Sequence, residues 1–108
     1  MTLVHRLRST RDFQRLRVSG RSGRSDGIVA QVAAHDGTSR LGVTVGARTG
    51  GAVVRNRLRR RLRAAYRAQG PENGFDVVLI ARPGAEALGF QDLEKHVERA
   101  LLRAGVAE

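Results

Sequence analysis

Residues 53–67 read VVRNRLRRRLRAAYR, a stretch with seven arginines and neither an acid nor a Gly or Pro. Arg, Leu and Ala are among the better helix formers, so the run predicts a helix of about four turns. At about 100° per residue, Val54, Leu58, Leu62, Ala65 and Tyr66 share an arc of roughly 120°, with the arginines expected outside it. Asn56 falls near the middle of the basic face, between Arg55 and Arg57 in sequence. The helix therefore has one stripe for a core and a broad face of guanidinium groups. Arginines meet at i,i+4 (Arg55/Arg59, Arg57/Arg61, Arg59/Arg63, Arg63/Arg67) and at i,i+3 (Arg57/Arg60, Arg60/Arg63). Together these repulsions cost the isolated helix about 1–3 kcal/mol at low salt. No residue of opposite sign lies in the helix to relieve them, so the face is read as a surface for a polyanion.

Charge is distributed unevenly along the chain. Residues 1–67 carry 16 Arg and 3 acids, whereas residues 68–108 carry 4 basic residues and 7 acids. The polyanion surface is thus expected in the first two thirds. Nineteen of the 20 basic residues are Arg, whose planar fork suits phosphate and stacks on bases. A chain of 108 residues with 41% hydrophobic and 28% charged residues is expected to form one globular domain, residues 1–108. Cysteine is absent, which excludes a disulfide framework and thiolate chemistry and fits a reducing, cytoplasmic setting. No apolar run approaches the roughly 18 residues of a membrane span. The opening MTLVHRLRST has basic residues but no apolar core of a secretory signal.

Ser9, Thr10, Arg11 and Asp12 read as a helix start, and a short helix is expected to about Val18, with Gly20 beyond it. Phe13 and Leu16, with Val18 nearby, give it a narrow apolar stripe; Arg11, Arg15 and Arg17 take the other side. Spacing alone leaves Phe13 as either a core residue or a ligand contact. Residues 19–27 (SGRSGRSDG) are turn-rich, with a strand possible near residues 21–26. Residues 28–34 read as a strand ended by a turn at His35, Asp36 and Gly37. Next, Leu41, Val43 and Val45 alternate with Gly42, Thr44 and Gly46, a strand with one packed face and one nearly bare face that lets a backbone or nucleotide approach closely. Residues 46–51, including Arg48, link it to the arginine helix. They contain neither GxxxxGK[ST] nor GxGxxG, which argues against a nucleoside triphosphate site. A break at residues 70–74 precedes FDVVLIA (residues 75–81), the mark of a strand buried on both faces. A last helix is expected with Asp92 and Glu94 in its first turn, Leu93, Val97, Ala100 and Leu101 as its stripe, and Arg103 and Gly105 at its end. The result is an α/β sandwich of the α+β kind, order αβββαβα, with a central sheet of about four strands and three helices.

Catalytic chemistry finds little support. His5, His35 and His96 have no ligand-like spacing, and His96 is expected at a surface or boundary. In the basic part of the chain only Asp12, Asp26 and Asp36 are available, too few and too scattered for paired-metal phosphodiester cleavage. The polypeptide alone reads as a binder, with no catalytic residue and no dedicated metal site.

Residues 52–63 (AVVRNRLRRRLR), with residues 40–45 (RLGVTV) before, residues 76–84 (DVVLIARPG) after and Asp12, Phe13, Gln14 and Arg15 near the start, resemble the bacterial ribonuclease P protein component. The resemblance runs over about residues 6–103. It implies a subunit that assists a catalytic RNA, which removes the 5′ leader of precursor tRNA with Mg²⁺, and it implies no protein partner. It also implies an unusual left-handed crossover into the strand after the arginine helix. By the resemblance Arg55, Asn56 and Arg57 inherit the RNA-contacting role, with Arg48, Arg59, Arg60, Arg61 and Arg63 extending that surface. Phe13 inherits a place in a leader-binding cleft flanked by Arg11 and Arg17. Arg17 stands where the family commonly has a second cleft aromatic, Gln31 where it has a bulky residue such as Tyr, and Gly51 where it has a basic one. Arg17 offers guanidinium stacking in place of the ring. Composition fits a small basic ribosomal or ribosome-assembly protein equally well, and only the motif order argues against it; a second alternative is a DNA-binding module with the arginine helix in a major groove.

Overall fold

The computed structural model describes residues 5–106. Residues 1–4, on which the reading of the N-terminal stretch partly rests, lie outside the described residues. The elements are β1 (His5–Arg6), α1 (Thr10–Ser19), β2 (Arg21–Ser25), β3 (Ile28–Thr38), β4 (Arg40–Val45), a 3-10 turn Ala47–Thr49, α2 (Ala52–Gln69), β5 (Asn73–Ala81), a 3-10 turn Ala85–Ala87 and α3 (Phe90–Arg103). They form one mixed five-stranded sheet in the order β1-β4-β5-β3-β2. The α+β class and three helices agree with the sequence expectation; the strand count is one higher because of β1. That strand is two residues long and pairs parallel with Arg40 and Leu41. Two residues carry no periodic signal, so only the neighbouring strand reveals them.

The apolar run of β5 occupies the middle of the sheet, parallel to β4 on one side and antiparallel to β3 on the other. Alternation then sorts its side chains between two cores. Val77, Leu79 and Ala81 face the larger one, built with Leu58, Leu62, Ala65 and Tyr66 of α2 and Leu93, Val97, Ala100 and Leu101 of α3. Val78 faces a smaller one on the opposite side with Leu7 and Leu16, against which Phe13, Ala33 and Ile80 pack. Two helices thus cover one sheet face completely and α1 covers the other in part. Leu62 is wholly buried, and truncating such a side chain to Ala typically costs about 2–5 kcal/mol. α3 can approach β2 because Gly23 has no Cβ; one placed there would collide with the Ala100 carbonyl oxygen.

Three local expectations differ from the structure. The turn at His35, Asp36 and Gly37 is a register shift inside β3, which runs on to pair Thr38 with Asn73. The chain crosses below the start of β5 at Ser39, whose N–H donates to Glu72 O and whose hydroxyl accepts from Phe75 N–H. Turn-forming residues here mark a bend around a neighbouring strand rather than a hairpin. Val18 is 86% exposed, because it is about 140° around α1 from Phe13 and about 200° from Leu16. Ser9 occupies the N-cap position of α1 but makes no side-chain capping bond.

Candidate nucleic-acid interface

Burial of Leu58, Leu62, Ala65 and Tyr66 fixes the roll of α2. Asn56, Arg57 and Arg60 consequently point to solvent, while Arg59, Arg61 and Arg63 are half-buried along the margins. Arg48, on the turn preceding the helix, is exposed beside its start. Among the described residues none of these arginines pairs with a carboxylate. The one internal contact is Arg59 Nη1 donating to Asn56 Oδ1 at 3.0 Å. Arg55 departs from the expectation that every arginine lies outside the stripe. Following Val54 by about 100°, it falls within the apolar arc. It is half-buried, and its Nε is sealed from solvent with no hydrogen-bond partner. A guanidinium nitrogen left unpaired in this way is destabilising until a ligand or a rearrangement satisfies it.

The opposite sheet face is organised by a carboxylate that no sequence pattern singles out. Asp76, on the α1 side of β5, is 0% exposed. Arg40 of β4 grips it bidentately, Nε to Oδ1 at 2.8 Å and Nη2 to Oδ2 at 2.7 Å. Arg15 of α1 donates to the same Oδ2 at 2.5 Å. Asp12, one turn before Arg15, lies 3.6 Å from Arg15 and 3.5 Å from Arg40, and His35 Nδ1 is 3.8 Å from Asp76 Oδ1. Burial pushes the Asp76 carboxyl up, but the bonds and charge of Arg40, with His35 and Arg15, outweigh it and hold the group below the ordinary carboxylate range. The same hydrogen bond raises the Arg40 guanidinium against its burial. Two aspartates and two arginines thereby pin α1 to the sheet. Helical spacing puts Arg15 on the outer side of α1 with Arg11 and Arg17; Arg11 and Arg17 are exposed as expected, but Arg15 turns inward because its partner lies 61 residues away.

This clamp sets Phe13, the residue after Asp12, directly on Gly42. A Cβ at Gly42 would stand 2.5 Å from Phe13 Cζ, so the bare face expected for β4 is where the ring lies. Phe13 is half-buried: it packs on the small core and also lines a hollow of about 230 Å³ with Arg6, Arg8 and Arg63. Where α1 leaves the sheet open, a shallow groove of about 320 Å³ runs over Val29, Gln31 and Ile80 between Arg24 and Arg82. Gln31 is therefore at hand where the family has a bulky residue, while Gly51 simply precedes α2 as its N-cap. Arg6, Arg8 and Arg24 belong to no motif in the sequence, and the only signal they give is the excess of Arg in the first two thirds of the chain; Arg82 lies beyond that part, within the segment of residues 76–84.

No catalytic constellation emerges among the described residues. Ser25 Oγ lies 2.7 Å from His96 Nδ1, and His96 Nε2 lies 3.7 Å from Asp26. Ser25 is buried, however, and the group ties the β2–β3 turn to α3 far from any cavity with Arg63 or Phe13. No group of three or more His, Cys, Asp or Glu among the described residues is placed to hold a metal ion. No helix among them is long and apolar enough to cross a membrane.

Fold and surface together define a class, an α+β polyanion-binding protein that presents an uncompensated arginine helix on one side and an aromatic-bearing, partly covered sheet on the other. The family model described as "Ribonuclease P" matches residues 1–105. The ribonuclease P protein component of Gluconacetobacter diazotrophicus is 42% identical, covering 95% of this chain and 93% of the relative. That of Roseiflexus castenholzii is 41% identical over 100% of this chain and 92% of the relative. Among solved structures, the ribonuclease P protein of Staphylococcus aureus superposes with a TM-score of 0.86 at 25% identity, covering 98% of this chain and 100% of that one. The Thermotoga maritima ribonuclease P protein gives 0.80 at 28% identity over 96% and 99%. The chain belongs to the ribonuclease P protein family, the protein component of the ribonucleoprotein that processes tRNA 5′ ends.

Proposed function

We propose that this protein binds the catalytic RNA subunit of bacterial ribonuclease P through the α2 face and the 5′ leader of precursor tRNA through the α1 side of the sheet. The RNA-contacting set is Arg48, Arg55, Asn56, Arg57, Arg59, Arg60, Arg61 and Arg63; Phe13, Arg11 and Arg17 flank the leader. The observation that carries this reading is the α2 face itself. It holds a run of guanidinium groups with no carboxylate among the described residues, an arrangement that repels itself unless phosphates lie across it. Arginine forks bind phosphate oxygens in pairs, and stacking on Phe13 or Arg17 holds an unpaired base without demanding its identity.

The protein's own residues then position and neutralise RNA, and phosphodiester hydrolysis belongs to the RNA subunit. Mg²⁺, which the family uses, would be held by that RNA. The aspartates nearest the basic surfaces, Asp12 and Asp76, are engaged by Arg15 and Arg40 and do not fit a metal site. The absence of cysteine is in keeping with action in the cytoplasm.

Reconstitution tests the reading. Nuclease-treated, RNA-free protein should leave precursor tRNA intact, and adding a bacterial ribonuclease P RNA should give Mg²⁺-dependent release of the 5′ leader, faster than the RNA alone. Cleavage by the RNA-free protein, or no effect of the protein on the RNA-driven reaction, would overturn it.

A further inference from the structure

The hollow beside Phe13 lies where the two basic surfaces meet. α1 and α2 cover opposite faces of the sheet, and only its β4 edge separates them. β1 shields that edge for two residues, pairing with Arg40 and Leu41. Leu7 N–H then donates to Leu41 O at 2.9 Å, after which the chain turns away. Polar groups of successive strand residues point to alternate sides, so those of Leu41 and Val43 face outward and those of Gly42 face β5. Val43 N–H accordingly has no backbone acceptor among the described residues. Val43 also lines the hollow of about 230 Å³, whose walls include Arg6, Arg8, Phe13, Gly42 and Arg63.

We infer that this hollow is a binding site for one phosphate group of an RNA backbone, held by Arg6, Arg8, Arg63 and the free Val43 N–H against the wall made by Phe13. Its three arginines come from two distant parts of the chain, and among the described residues none has a carboxylate partner. Burial lowers the proton affinity of the Arg63 guanidinium, and the charges of Arg6 and Arg59 lower it further. That strain is electrostatic and an anion relieves it. The volume admits a phosphate group with room for solvent, and Phe13 leaves an adjoining ring face for a base. A backbone phosphate seated here would carry a single strand past the sheet edge, from the α1 cleft to the arginine helix, and so join the two surfaces into one track.

The inference rests on the ribonuclease P reading, and its test is separable from it. Precursor tRNAs carrying one neutral methylphosphonate linkage, placed at each leader position in turn, are bound to the reconstituted holoenzyme containing wild-type, Arg63→Gln or Arg6→Gln protein. One linkage should weaken binding to wild type by about tenfold, the scale of one charge-assisted contact, and weaken binding to both variants by less than about twofold. In parallel, the Val43 amide resonance should shift when a leader oligonucleotide is added to the wild-type protein and not when it is added to Arg63→Gln. Equal losses in wild type and variants at every linkage, or a Val43 resonance that ignores RNA, would overturn the assignment even while the holoenzyme cleaves normally. A Val43 shift with inorganic phosphate but no sensitive linkage would likewise overturn it, leaving only a site for free anions.

Discussion

Replacing Asp76 with Asn tests whether the buried carboxylate is what holds α1 in place. The substitution keeps the shape but removes the charge, and it sets an amide NH₂ against a guanidinium donor at either Oδ position. Breaking a buried ion pair from one side costs about 3–5 kcal/mol when the remaining charge is stranded. Here Arg15 and Arg40 are 39% and 31% exposed and both keep Asp12 nearby, so the loss sits at or just below the bottom of that range, about 2–3 kcal/mol. For a domain of this size that corresponds to a melting temperature lower by about 8–15 °C. The pH dependence carries a definite sign. Asp76 binds its proton less readily folded than unfolded, so its contribution is complete above the unfolded carboxylate value of about 4 and is lost as pH falls through the lower folded value. The stability gap between wild type and Asp76→Asn should therefore be flat from about pH 5 to 8 and close below about pH 4. Thermal unfolding across pH measures it. A gap that persists unchanged at pH 3, or no loss at pH 7, would show that Arg15 and Arg40 do not depend on this carboxylate.

Three further outcomes follow from the same geometry. Gly42→Ala places a methyl 2.5 Å from Phe13 Cζ and should cost about 1–3 kcal/mol of stability, most of it vanishing in a Phe13→Ala background, as a thermal-unfolding double-mutant cycle will read. Phe13→Ala alone should cost about 2 kcal/mol of stability, less than a fully buried ring, while weakening precursor tRNA binding by about 1–3 kcal/mol more and sparing mature tRNA. Parallel affinities for the two RNAs decide it, and equal losses would return Phe13 to the core. Neutralising Arg55, Arg57 and Arg61 together should lower the slope of log affinity for the RNA subunit against log salt by about 0.7–0.9 for each phosphate that no longer meets an arginine. An unchanged slope would mean the α2 face is merely solvated.

Much of the arginine helix was legible because helical periodicity is local. Leu58, Leu62, Ala65 and Tyr66 announce the buried stripe at i, i+4 spacing, which turns most of the arginines to solvent or to the margins of the core. β5 was legible for a similar reason, since a short unbroken apolar run has to be covered on both sides. The order of the motifs around residues 52–63 carries the family resemblance, which composition and charge alone do not distinguish. What the sequence could not determine is which distant residues meet. Arg15 has the spacing of a solvent residue of α1, yet Asp76 lies beneath it, and the turn signal at His35, Asp36 and Gly37 proved to be a bend forced by β5 passing between β3 and β4. Phe13 is the clearest case: spacing left it between core and ligand, and only the tertiary structure shows the half-buried ring lying on Gly42 at the margin of an arginine-lined hollow. Local patterns fix helices, strands and their faces because those depend on neighbours a few residues away. Ion-pair partners, open sheet edges and hollows depend on the packing of elements tens of residues apart, which no periodicity encodes.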